Sequence, residues 1–217
     1  MGLHPDVKKH LRERFPECVN DGVPPVPADV IIWDAMWSLF KFNSSDDTAC
    51  GDDLLDFLFW PLDRHFLAGG KANVVCFDIP EFVPNAKAEE HAKRYAEAPE
   101  PLTSSECSYE KLPTPWRSAL ANRRVRAEVC AFVAEGFAQR FAARRRTFPH
   151  KEAYIIVHGA GKTIKKISSA GLNDMPEHAN ACQIGEGDMS VAYWSHHFCD
   201  VNTVVRVLDS DEARSPF

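Results

Sequence analysis

The chain's 217 residues, 45% hydrophobic and 26% charged, describe a globular, soluble protein, long enough for one domain of ordinary size with a buried core. A net charge of -6 argues against a general nucleic-acid coat but does not exclude a phosphate-backbone substrate, since a cluster of catalytic acids would itself produce that sign. Seven cysteines, with no C-x-x-C pair and no signal peptide, read as reduced thiols of an intracellular protein, nuclear or cytoplasmic; no apolar run approaches the ~18 residues of a membrane span.

In chain order, Val7, Leu11 and Phe15 recur at helical spacing in a first helix that Pro16 stops. After the Pro-rich connector 24–27, Val30-Ile31-Ile32-Trp33-Asp34 reads as a buried strand with an acid at its carboxyl tip. An apolar helix over 35–42 follows, then a polar loop over 46–53 and a helical pattern over 54–66 interrupted near Pro61. Trp33, Trp37 and Trp60 are expected in the core. Asn73-Val74-Val75-Cys76-Phe77-Asp78 is a second buried strand, again ending in an acid. Two strands separated by a helix fit a parallel sheet, whose ligands gather beyond the carboxyl ends. Residues 87–96 form a charged helix, 97–115 a Pro-rich excursion and 116–146 one long helix with an arginine-rich face. Residues 152–158 are a third strand, 159–183 a polar connection, and Val204 to Leu208 a last strand ending in Asp209-Ser210-Asp211.

Strand-end acids are the chemically informative feature. In a strand, residues i and i+2 share a face, so Asp209 and Asp211 point together. Glu186 and Asp188 would splay about 200° apart on a helix, and are read as straddling a helix start, with Glu186 still extended. Asp34, Asp78, Glu186, Asp188, Asp209 and Asp211 therefore collect at one rim of the sheet. Any one alone reads equally as a helix cap or a surface acid. Six carboxylates together suit two Mg²⁺ or Mn²⁺ ions about 4 Å apart, the arrangement that activates water and stabilises a leaving oxygen in phosphodiester hydrolysis.

These residues resemble the flap endonuclease, XPG-type and 5′→3′ exoribonuclease superfamily. Met1-Gly2-Leu3 with Arg14-Phe15-Pro16, Trp33-Asp34-Ala35, Phe77-Asp78, Gly185-Glu186-Gly187-Asp188 and Asp209-Ser210-Asp211 are similar to its motifs. The resemblance implies an α/β, PIN-like three-layer core with a mostly parallel central sheet and helices on both faces. It implies a single domain over 1–217, with core 1–78 and 151–217 and an arch-like insertion over 79–150. It further implies a two-metal structure-selective 5′ nuclease acting on DNA or RNA. Asp34, Asp78, Glu186 and Asp188 would surround one ion, and Asp188, Asp209 and Asp211 the other. Lys87 and Arg94 would contact the scissile phosphate, and Gly2 would lie close to the site. Members of the family supply a further acid from a later strand, so either the chain continues beyond Phe217, or a partner completes the site, or the second ion binds weakly. The rival expectation is a PIN-like scaffold that binds RNA or a protein partner without turnover.

Other signals carry less. Gly159-Ala160-Gly161-Lys162-Thr163 lacks the earlier glycine that a Walker A phosphate loop needs, Ile156 standing in its place. Lys162, Lys165 and Lys166 are candidates for backbone phosphate contacts, as are Arg123, Arg124 and Arg126 on the long helix, whose plainer reading is a solvated face. His178, Cys182, His196, His197 and Cys199 lack zinc-finger spacing.

Overall fold

Runs of β-branched residues build a sheet whose two faces are both covered. The computed structural model describes residues 28–42, 49–79 and 110–206, with only the backbone described at Asp188 and at 204–206. Strand β1 (Val30–Asp34) leads directly into α1 (Ala35–Lys41); α2 (Gly51–Leu67) precedes β2 (Ala72–Cys76). Helices α3 (Trp116–Ala121) and α4 (Arg123–Arg144) precede β3 (Tyr154–His158), which continues into β4 (Lys165–Ser168) and β5 (Gly171–Asp174). A 3-10 segment (Pro176–Gln183), α5 (Gly187–His197) and β6 (Thr203–Arg206) follow. The sheet order is β5-β4-β3-β2-β1-β6. Strands β6, β1, β2 and β3 are parallel, while β4 and β5 join antiparallel at one end.

Alternation along the strands divides the core. Ile31, Trp33, Val75, Phe77, Ile155 and Val157 pack with apolar residues of α1 to α4. Val30, Ile32, Val74, Cys76 and Ile156 face the other way, onto Val191 and Trp194 of α5. Period-two exchange of faces makes this α/β protein three-layered, with helices on both sides of a mostly parallel sheet.

Several sequence expectations need correction. The single helix over 116–146 is two helices: Asn122 is extended, and its Oδ1 accepts the amides of Arg124 (2.9 Å) and Val125 (3.5 Å), ending α3 and capping α4. Hydrophobic periodicity runs through the break and hides it. Pro61 does not interrupt α2, because Leu58, Phe59, Leu62 and Phe66 hold both halves on the core. Trp60 is 64% exposed, its ring beneath the Arg64 guanidinium, and is not a core residue. The polar connection 159–183 contains the β4–β5 hairpin and a 3-10 segment. Within the expected insertion 79–150, Trp116, Val125, Val133, Phe141 and Phe148 belong to the principal core, so residues 116–148 are part of the body of the domain. The helices expected over 5–15 and 87–96 lie outside the described residues.

Candidate metal centre

The order of the strands selects one place along the rim. Moving from β1, the chain builds β2 and β3 to one side and returns to place β6 on the other, so β1 sits at the reversal, where ligands of open parallel sheets bind. Asp34 ends β1, Asp78 follows β2, and the chain leaves β6 at the same edge, where Arg206 pairs with Trp33.

Asp34 and Asp78 converge on the head of α5. Asp78 Oδ1 accepts the Gly187 amide at 2.7 Å, and the amide of Ile79 donates to Gly185 O at 2.8 Å. Two bonds thus clip the end of β2 to the turn opening α5. Asp34 Oδ1 accepts the Met36 amide at 3.1 Å as the cap of α1. Gly187 decides the spacing. A Cβ built on it would stand 3.1 Å from Asp78 Oδ1 and 3.6 Å from Asp34 Oδ1, so the missing side chain leaves room between the two carboxylates. Glu186, at the N-cap of α5, is extended (φ -102°, ψ 133°), as the reading of a straddled helix start requires.

The field of these acids reaches the thiols nearby. Burial pushes the Cys76 thiol well above its ordinary value, and the Asp34 carboxylate adds to the rise. Burial likewise raises Cys130 to about 12, opposed by the Arg126 guanidinium and reinforced by Asp78. Neither thiol is a ready nucleophile or a soft metal ligand at neutral pH.

Of the six expected ligands, the structure brings Asp34 and Asp78 together beside the backbone of Glu186 and Gly187. The side chain of Asp188 is not described, and Asp209 and Asp211 lie outside the described residues, as do Lys87, Arg94 and Gly2. Among the described residues no group of three or more His, Cys, Asp or Glu side chains is placed to hold an ion. The donor chemistry nonetheless fits Mg²⁺ or Mn²⁺: hard carboxylate oxygens around a gap that glycine keeps open.

The basic candidates separate. Arg123 and Lys162 are exposed, whereas Arg124 pairs with Glu128, Lys165 with Asp174, and Lys166 lies over the Tyr154 ring at 4.5 Å. Arg140 and Arg144 pair with Asp52, Asp56 and Asp63 of α2, so much of the arginine-rich face joins helix to helix. Among the described basic candidates Arg126 alone is buried.

Sequence reasoning weighed His178 and His197 only as zinc ligands and missed the aromatic and imidazole cluster they join behind α5. Buried His158 accepts the Trp194 indole N–H on Nδ1 at 3.1 Å, and His178 Nδ1 lies 2.7 Å from the Tyr193 hydroxyl. The His178 and His197 rings stand 5.0 Å apart. Burial lowers His158 to about 4 and, with His197 beside it, lowers His178 too. The i, i+4 spacing of Tyr193 and His197 was the available signal. It makes a packed layer beneath β3.

Among the described residues, no helix is long and apolar enough to cross a membrane. No protein-family profile, curated protein or solved structure matches the chain.

Proposed function

We propose that the protein is a metal-dependent phosphodiester hydrolase, a structure-selective 5′ nuclease of the flap endonuclease or 5′→3′ exonuclease type. The observation that carries the proposal is the convergence of Asp34 and Asp78, from adjacent parallel strands, on the glycine-spaced head of α5. Two carboxylates facing one gap repel each other, and a cation bound between them relieves that repulsion. A bound Mg²⁺ or Mn²⁺ would polarise the phosphate and lower the pKa of a coordinated water. The chain's own residues would set position. Asp78 is held by the Gly187 amide, and Asp34 by the first turn of α1, so neither carboxylate has to be ordered when substrate arrives.

One observation favours the second reading, a PIN-like scaffold that binds RNA or a protein partner. Asp34 already caps α1 and Asp78 already accepts the first amide of α5, roles that need no metal. Melting with and without millimolar Mn²⁺, beside cleavage assays on flapped and single-stranded DNA and RNA, separates the two. The nuclease reading expects an Mn²⁺-dependent rise that Asp34→Ala removes, and cleavage that an Asp209→Ala, Asp211→Ala double variant abolishes. Mn²⁺-independent melting together with activity equal to the double variant's would leave the scaffold.

A further inference from the structure

Arg126 is 5% exposed, and its Nε has no hydrogen-bond partner. Among the described residues it makes no ion pair, unlike Arg124, Arg140 and Arg144 on the same helix. Burial of an uncompensated guanidinium is expensive, and such groups are ordinarily paired or hydrogen-bonded.

Its place in the fold supplies a reason. The exit of α4 is fixed at the amino edge of the sheet, where Phe141 and Phe148 pack on Phe66 and a short connection enters β3. Its approach is fixed near the other edge, since the Leu112 amide donates to Ala49 O just before α2, and the Trp116 indole to Leu39 O in α1. From Phe141 back to Arg126 the helix rises about 22 Å, more than the ~16 Å length of a five-residue strand. Arg126 therefore lies at the level of the carboxyl rim, one turn from Cys130, whose thiol feels both the guanidinium and Asp78. Among the described residues the guanidinium pairs with no carboxylate.

We propose that Arg126 binds a phosphate group of the substrate at the level of the carboxyl rim, held by its guanidinium fork. The proposal deepens the nucleolytic reading and rests on it. A planar fork of N–H donors matches phosphate oxygens bidentately, and a buried cation whose partner is the ligand gains its compensation on binding. Arg126 would thus be a phosphate-binding residue on α4, in addition to Lys87 and Arg94.

The test is binding measured in EDTA, so that hydrolysis plays no part. Single-stranded oligonucleotides with a 5′-phosphate or a 5′-hydroxyl are titrated onto wild type, Arg126→Lys and Arg126→Gln across a salt series. Inorganic phosphate, against chloride at equal ionic strength, is the small-ion probe by melting. Arg126→Gln should weaken oligonucleotide binding by about tenfold or more and reduce the salt slope by about 0.7, the value for one phosphate contact on a single strand. Arg126→Lys should keep the slope and lose part of the affinity. A loss confined to the 5′-phosphorylated strand assigns a terminal phosphate, and an equal loss on both assigns the backbone. Wild-type affinity and slope in Arg126→Gln would overturn the proposal. Should that variant fail to fold, wild type that melts identically in phosphate and chloride, or an Arg126→Lys variant indistinguishable from wild type, would overturn it equally. Arg126-dependent binding without any cleavage in Mn²⁺ would remove the nuclease reading and leave a phosphate-binding site; cleavage without Arg126-dependent binding would do the reverse.

Discussion

Gly187→Ala is the sharpest perturbation of the candidate centre, because it removes no carboxylate and adds one methyl group where the two meet. The new Cβ would lie 3.1 Å from Asp78 Oδ1, a contact that requires the carboxylate to yield by a few tenths of an ångström, and 3.6 Å from Asp34 Oδ1. Replacing glycine stiffens the unfolded chain, for a gain of roughly 0.4–1 kcal/mol. Straining the Gly187–Asp78 hydrogen bond acts in the opposite direction with similar size, a charge-assisted bond being worth about 1.5–3 kcal/mol when lost entirely. The metal-free variant should therefore melt within a few degrees of wild type. Metal binding should respond much more. An ion at a hundredfold excess over its dissociation constant stabilises a fold by about 2.7 kcal/mol, which in a protein of this size raises the melting temperature by roughly 5–10 °C. Gly187→Ala should lose most of that Mn²⁺-dependent rise, as measured by calorimetry with and without EDTA. A variant keeping the full rise at the same Mn²⁺ midpoint would show that the space beside Gly187 holds no ion.

Asn122→Ala removes the cap of α4 and should cost about 1 kcal/mol, or 2–4 °C in melting temperature, with the helix otherwise intact. His158 titrates at about 4 in the fold against about 6.5 when unfolded, so its neutral form favours folding. Its contribution is complete above pH 6.5 and is lost as the pH falls to 4, up to roughly 3 kcal/mol by linkage. Urea unfolding at pH 7.5 and 4.5 should show that loss in wild type and a smaller one in His158→Gln; His178, lowered in the same direction, adds to the wild-type slope. Arg140→Gln, which breaks exposed pairs with Asp52 and Asp56, should change stability by under about 1 kcal/mol and leave oligonucleotide affinity unaltered.

Most of the parallel sheet is legible in the sequence, because β1 and β2 are buried on both faces and read as largely apolar runs with an acid at or just beyond the end. The β4–β5 hairpin is not. Lys165-Lys166-Ile167-Ser168 has one buried side chain, and Gly171-Leu172-Asn173-Asp174 has none, so neither carries the pattern of a core strand. The head of α5 was legible as a pair of acids astride a helix start. Its geometry was not, since the decisive group at Gly187 is an absent side chain and a backbone amide. Arg126 was named with Arg123 and Arg124 as a phosphate candidate, but its burial was not told apart from their exposure. Its phase was available: Arg126, Cys130, Val133 and Phe137 follow a single helical stripe, and all four are buried.

The placement of β1 between β2 and β6 also bears on how the chain reaches its fold. Val30 pairs with Ala72 on one side and with Thr203 on the other, so the first described strand is completed by the last described one. During synthesis β1 can acquire β2 early, but its other edge stays open across Val30-Ile31-Ile32-Trp33 until β6 has emerged. Such long-range closure makes the final docking step slow, and leaves an apolar, β-branched edge available to other chains meanwhile. Refolding of the isolated protein should accordingly lose yield steeply with concentration, and its slowest phase should be the one that returns β6 to β1.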